Sequence, residues 1–234
     1  MKKPKKFFTM AELVLAASAT ILSSSICCAF ISKAHRDAQA TQCAENLFAM
    51  GKATFSYAAD HKDDLPFAGD GHDSWKLQIA PYLGIKDPEE KGAAGKFKVF
   101  HCPLDRNDPP RYMSEDPFYL AKNSYCANLY AIDVKNHDKN ADGSITTRKL
   151  KSIDGPDTVL LYAENHDRTN MIGAGLSVNW NRGGEYAYPA SAQKGYHQGK
   201  NNYLLLDGGV EFWTFRDTVY PEDLWFLKYG STDL

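Results

Sequence analysis

LVLAASATILSSSICCAFI, residues 13–31, runs for nineteen positions without a charged side chain. As a helix rising about 1.5 Å per residue it would span about 28 Å, close to the ~30 Å hydrocarbon core of a bilayer. Ser18, Thr20, Ser23, Ser24 and Ser25 dilute the run, which makes it a marginal span by composition. Lys2, Lys3, Lys5 and Lys6 precede it, and the remainder of the chain carries a formal charge of −6 within a total of −2. A basic flank before an apolar run is retained on the cytoplasmic side, so the N-terminus is expected in the cytoplasm and the body outside it. The competing reading is a cleaved secretory signal. Cys27-Cys28-Ala29 makes a poor small-x-small cleavage site, and the run is long for such a signal. The expectation is therefore a single-pass anchor in the inner (cytoplasmic) membrane, with lipid as one partner and a periplasmic C-terminal domain.

Working outward, residues 32–64 contain one glycine and no proline. Leu47, Met50, Thr54 and Tyr57 or Ala58 recur at helical spacing, with Phe48 and Phe55 on an adjoining face. The pattern predicts an amphipathic helix ending near Asp63, because Leu65-Pro66 forces extended backbone. Either one helix runs from Phe8 to Lys62, or a break near Ser32–Arg36 separates anchor from amphipathic helix. Beyond it the chain reads as short strands and loops. Thr158–Ala163, after a Gly155-Pro156 turn, is a buried-strand candidate. Asn202–Leu206 and Val210–Phe215 flank Asp207-Gly208-Gly209, a strong hairpin pattern, because the turn needs a positive φ that glycine adopts without penalty. The expected fold class is α+β, a long N-terminal helix packed on an antiparallel β-sheet.

At 234 residues, with 43% hydrophobic and 12% aromatic content, the chain has material for an anchor and one packed domain. Its acidic body argues against a nucleic-acid partner, which would need a basic stripe.

Phe8-Thr9-Met10-Ala11-Glu12-Leu13 resembles the start of type IV pilins and type II secretion pseudopilins. The resemblance implies a basic leader over residues 1–7 and cleavage between Phe7 and Phe8, where Phe7 stands in the place of the family's glycine. It further implies methylation at Phe8 and pairing of Glu12 with a neighbouring subunit's N-terminus. Ser32-Lys33-Ala34, Cys43-Ala44-Glu45-Asn46-Leu47 and Tyr57-Ala58-Ala59-Asp60 before Leu65-Pro66 are similar to a subfamily of uncharacterised pseudopilin-like proteins. Trp75 to Pro81-Tyr82-Leu83, Phe100-His101-Cys102-Pro103 and Asn123-Ser124-Tyr125 match its middle section. His197, Gly199, Lys200, Asn202, Leu204, Asp207 and Gly208 match its C-terminal His-x9-Asp-Gly signature. The implied organisation is a leader (1–7), a transmembrane segment (8–31), an extracytoplasmic continuation of the helix (32–64) and a globular α+β domain (65–234) of pilin-like fold. The implied role is a structural subunit of a type II secretion or pilus-like assembly, with like subunits, other pseudopilins and inner-membrane assembly proteins as partners.

Candidate chemistry is sparse. His197 and Asp207 could form an acid/base pair, but no nucleophile motif accompanies them, and Asp207 has a turn to make. His197 is expected to brace the strand that follows it, and the chain is expected not to be an enzyme. Asp138, Asn140, Asp142 and Gly143 resemble the first half of a calcium loop, yet Lys149 stands where a bidentate glutamate belongs. Calcium is thus the one cofactor considered, and otherwise none is expected. Cys43, Cys102 and Cys126 lie outside the cytoplasm, where disulfides persist, and allow one bond and one remaining thiol. The alternative function is a membrane-tethered module that binds carbohydrate or protein through Trp180, Tyr186, Tyr188 and Trp213.

Overall fold

The computed structural model describes residues 9–67, 74–86, 93–106, 122–132, 147–166, 177–178 and 194–225. The chain divides into two compact units, Met1–Ala38 and Gln39–Leu234. A single helix, α1 (Met10–Asp60), begins in the first and ends in the second, and residues 32–36 are helical like the rest. Within the first unit, Leu13, Val14, Leu15, Ile21, Leu22, Ile26, Phe30 and Ile31 are all exposed. The helix is long and apolar enough there to cross a membrane. The five hydroxyls within residues 13–31 all turn back on the helix. Ser18, Thr20, Ser23, Ser24 and Ser25 donate to the carbonyls of Leu15, Ala17, Ala19, Ile21 and Ile21, at 2.8–2.9 Å.

From Cys43 onward α1 acquires a buried face of Cys43, Asn46, Leu47, Met50, Ala53, Thr54 and Ala58, while Phe48 stays half-exposed. The helix is stopped by left-handed backbone at Lys62 (φ 54°) and Asp63 (φ 73°). Asp63 N–H closes back on Ala58 O at 2.8 Å, satisfying a carbonyl that the last turn would leave open. Neither residue is glycine, so tertiary contacts hold the turn. Asp63 Oδ2 accepts from Lys151 N at 2.8 Å, and Lys149 Nζ lies 2.7 Å from Asp64 Oδ1.

The second unit is built on a five-stranded sheet of β1 (Tyr125–Asn128), β2 (Leu160–Glu164), β3 (Ser177–Val178), β4 (Asn201–Leu205) and β5 (Val210–Trp213), in the order β3-β1-β2-β4-β5. β1, β2, β4 and β5 pair antiparallel, and the two-residue β3 runs parallel to β1. One face packs on α1 through Tyr125, Ala127, Leu161, Tyr162, Leu204 and Leu206, joined by Trp75 of α2 (Trp75–Ile79) and by Phe97 and Phe100. The other face carries Cys126, Leu160, Ala163, Tyr203 and Leu205, covered by Trp213, Phe215, Val219, Leu224 and Trp225. Asn128 Nδ2 donates to the carbonyls of Leu160 and Trp225, tying this cover to the sheet. A short helix, α3 (Leu129–Ile132), follows β1.

Several boundaries differ from the sequence reading; α1 ends at Asp60 and β4 is displaced by one residue to Asn201–Leu205, and two others shift for clear local reasons. Residues 156–158 form a 3₁₀ turn rather than the start of β2, because Pro156 suits a first helical position and Gly155 takes a φ of 62° before it. A register shift between Leu160 and Tyr162 then puts Leu161 and Tyr162 both on the α1 side, which breaks the period-two pattern. β5 ends at Trp213, where Thr214 and Asp217 form a capping box that turns the chain into a 3₁₀ segment.

Candidate metal centre

Four buried side chains from four separate segments meet beneath α1: Cys43, Cys102, Glu164 and His197. Cys43 sits on the buried face of α1, one turn before Leu47. Cys102 follows the 3₁₀ segment Ala93–Phe100, and Asn46 Nδ2 fastens that loop to the helix by donating to His101 O at 3.1 Å. Glu164 ends β2 on the helix-facing side, with Tyr125 of β1 opposite it. His197 stands at the start of a tight turn into β4. His197 N–H donates to Lys200 O at 2.9 Å, and Gln198 (φ 59°) and Gly199 (φ 89°) are both left-handed, as a two-residue primed turn requires. A Cβ on Gly195 would lie 1.9 Å from the Gly199 carbonyl carbon, so only glycine lets the backbone at 195 pass this turn.

The contacts are short and internal. His197 Nε2 donates to Glu164 Oε1 at 2.9 Å and lies 3.7 Å from Cys102 Sγ. Glu164 also accepts from Asn202 N at 2.9 Å and from Asn202 Nδ2 at 3.0 Å. Asn202 Nδ2 reaches Ala40 O of α1 at 3.2 Å. Cys43 and Cys102 are joined as a disulfide across 59 residues, with their Cα atoms 5.3 Å apart. The ligand atoms of all four side chains lie within 4.8 Å of one another. Burial dominates the electrostatics around them. It pushes the Tyr125 hydroxyl well above the usual tyrosine range, with the Glu164 charge adding to the effect. It also pushes His166 down to about 3, against the pull of Glu164.

This cluster overturns two expectations, that the chain is not an enzyme and that it holds no cofactor. With the Cys43–Cys102 bond opened, two sulfurs, an imidazole nitrogen and a carboxylate oxygen in one buried place form a donor set with the capacity for a metal ion. Such a set can support a catalytic or cofactor centre. Geometry also separates this centre from a nucleophile relay, in which a histidine faces the nucleophile with one ring nitrogen and the carboxylate with the other. Here the single atom Nε2 faces both the sulfur and the carboxylate.

Other residues singled out from the sequence fall elsewhere. Glu12 is exposed and accepts from Thr9 N at 2.8 Å and Thr9 Oγ1 at 3.0 Å, while Thr9 Oγ1 accepts from Glu12 N. It completes a capping box at the start of α1, a Thr-x-x-Glu pattern that the sequence displayed openly. Asp207 does not meet His197. Its Oδ1 accepts from Gly209 N at 2.8 Å, and Gly208 (φ 93°) takes the left-handed place in the hairpin loop. Trp213 is partly buried and packs against the cover of the sheet. Phe7, Phe8, Asp138, Asn140, Asp142, Trp180, Tyr186 and Tyr188 lie outside the described residues.

Sequence reasoning missed Glu164 altogether and left the cysteine pairing open. One signal was present: Leu160-Leu161-Tyr162-Ala163-Glu164 ends a buried run on a carboxylate, and a buried carboxylate needs partners. Comparison with protein-family models, with curated proteins and with solved structures finds no match to this chain.

Proposed function

We propose that the protein is a membrane-anchored, pseudopilin-like subunit whose α1 helix roots it in the inner membrane and packs against neighbouring subunits, with the sheet domain outside the cytoplasm. The observation that carries this reading is the internal satisfaction of all five hydroxyls in residues 13–31. Each side chain that dilutes the run donates to a carbonyl of its own helix, so no hydroxyl is left to seek water in lipid. A disulfide in the sheet domain agrees with an oxidising compartment. Glu12 is engaged by Thr9, yet its carboxylate stays exposed and open to a second donor, such as a neighbour's amino terminus.

The test is in-cell crosslinking with cysteines placed along Leu13–Ile31, comparing the wild-type chain with Glu12→Ala. The expected result is membrane insertion in both and weaker subunit crosslinking in the variant. Equal crosslinking would mean that Glu12 serves only the helix cap. A soluble product shortened by about 30 residues, as signal removal gives, would refute the anchor.

A further inference from the structure

We propose that the Cys43–Cys102 disulfide closes off a zinc-type divalent cation site, which opens when the bond is reduced. The ligands are Cys43 Sγ, Cys102 Sγ, His197 Nε2 and Glu164 Oε1, a tetrahedral set suited to a borderline-soft ion.

Two observations carry it. First, the convergence is on a point rather than along a chain. Around a tetrahedral zinc, with sulfur at about 2.3 Å and nitrogen at about 2.0–2.1 Å, a sulfur and a nitrogen stand about 3.6 Å apart. Cys102 Sγ and His197 Nε2 stand 3.7 Å apart. Second, a disulfide needs no polar company. It packs well among apolar side chains, whereas a buried imidazole and a buried carboxylate each carry a desolvation cost. Both groups here are nonetheless buried, His197 Nε2 within 3.7 Å of Cys102 Sγ and a Glu164 oxygen within 4.8 Å of the sulfurs. Glu164 is oriented by Asn202 through both oxygens, the kind of outer support that ligating carboxylates receive.

The chemistry balances. A dithiol reductant gives two electrons and two protons to the disulfide, yielding the Cys43 and Cys102 thiols and its own disulfide. The cation then displaces both thiol protons, which pass to water. The His197 proton moves from Nε2 to Nδ1, an atom that is buried and has no hydrogen-bond partner among the described residues. Reoxidation by a disulfide-forming oxidant reverses the sequence and releases the ion. Metal and disulfide are therefore alternative occupants of one place beneath α1, and each crosslinks the helix to the loop of Cys102. The site lies wholly within residues 39–234, so it stands or falls apart from the membrane reading.

The experiment uses the full chain in detergent with Cys27→Ser and Cys28→Ser, which removes the exposed thiols of the anchor. The protein is reduced anaerobically with a phosphine and titrated with Co²⁺ alone. The expected result is one cobalt per chain with a sulfur-to-cobalt charge-transfer band and tetrahedral d–d bands, displaced by Zn²⁺ and absent from unreduced protein. Glu164→Gln should weaken cobalt binding by about tenfold or more, and Cys43→Ser combined with Cys102→Ser should abolish the charge-transfer band. Circular dichroism follows the fold throughout. Three results would overturn the proposal: a folded reduced chain without the band, a band that survives Cys43→Ser combined with Cys102→Ser, or a reduced chain that unfolds and is not restored by Zn²⁺.

Discussion

Glu164 shows what a single residue can cost and how the fold meets that cost. Its carboxylate is fully buried and depends on three donors, one from His197 and two from Asn202. Removing a partner from a buried ionised group leaves the charge stranded, and the loss exceeds that of an ordinary hydrogen bond. His197→Ala is therefore expected to destabilise the oxidised chain by about 2–4 kcal/mol, read as a lower urea midpoint in tryptophan fluorescence. Adding Glu164→Gln to that variant removes the stranded charge and should recover about 1 kcal/mol or more. A double variant less stable than His197→Ala alone would mean that packing, not charge, dominates at this place. The local placement of His197 was legible from the sequence, since Gln198-Gly199 before a β-rich run suggests a tight turn. Its partner was not, because 33 residues separate the two.

At the scale of elements, α1 is held to the sheet by apolar contact and by a few hydrogen bonds, one of them between two buried hydroxyls. Thr54 Oγ1 lies 2.7 Å from Tyr162 Oη and donates its own proton to Met50 O at 3.0 Å. Tyr162 is thus the donor to Thr54, while its ring stacks on Trp75 at 4.3 Å. The two halves of the bond are unequal. Tyr162→Phe keeps the ring and leaves Thr54 satisfied by Met50, so a loss of about 1 kcal/mol is expected. Thr54→Val removes the acceptor and buries an unpaired hydroxyl, which costs about 1–3 kcal/mol. Thermal unfolding of the two variants should rank them in that order. The β4–β5 hairpin meets the same helix, and a Cβ on Gly208 would stand 3.1 Å from Phe55 Cε2. Glycine there serves both the left-handed turn and the approach of the helix.

For the molecule as a whole, the disulfide is the longest-range covalent constraint, closing a loop between Cys43 and Cys102. Chain-entropy reasoning for a separation of 59 residues assigns it about 4 kcal/mol. Cys43→Ser combined with Cys102→Ser should lower stability by about that amount under oxidising conditions, measured by urea unfolding in detergent. Under reducing conditions wild type and double variant should match without metal, and Zn²⁺ should raise only the wild type. Cys126 does not substitute for either partner. It is buried on the opposite face of the sheet, where burial pushes its thiol up and keeps it protonated.

The sequence by itself determined the features whose physics is local. A run of nineteen uncharged residues sets a membrane-length helix, the spacing of Leu47, Met50 and Thr54 sets the buried face of α1, and Asp207-Gly208 sets the hairpin. In each case the residues that interact lie within a few positions of one another, so period and turn chemistry suffice. Tertiary structure alone decided which cysteine pairs with Cys43, the shift at Leu161 that turns two successive side chains to one face, and the meeting of Glu164 with His197. Those outcomes depend on the order in which strands pair, and strand order brings together segments whose separation carries no pattern. The buried centre belongs to that second group: its four donors come from a helix, a loop, a strand end and a turn, and only the assembled sheet under α1 makes them neighbours.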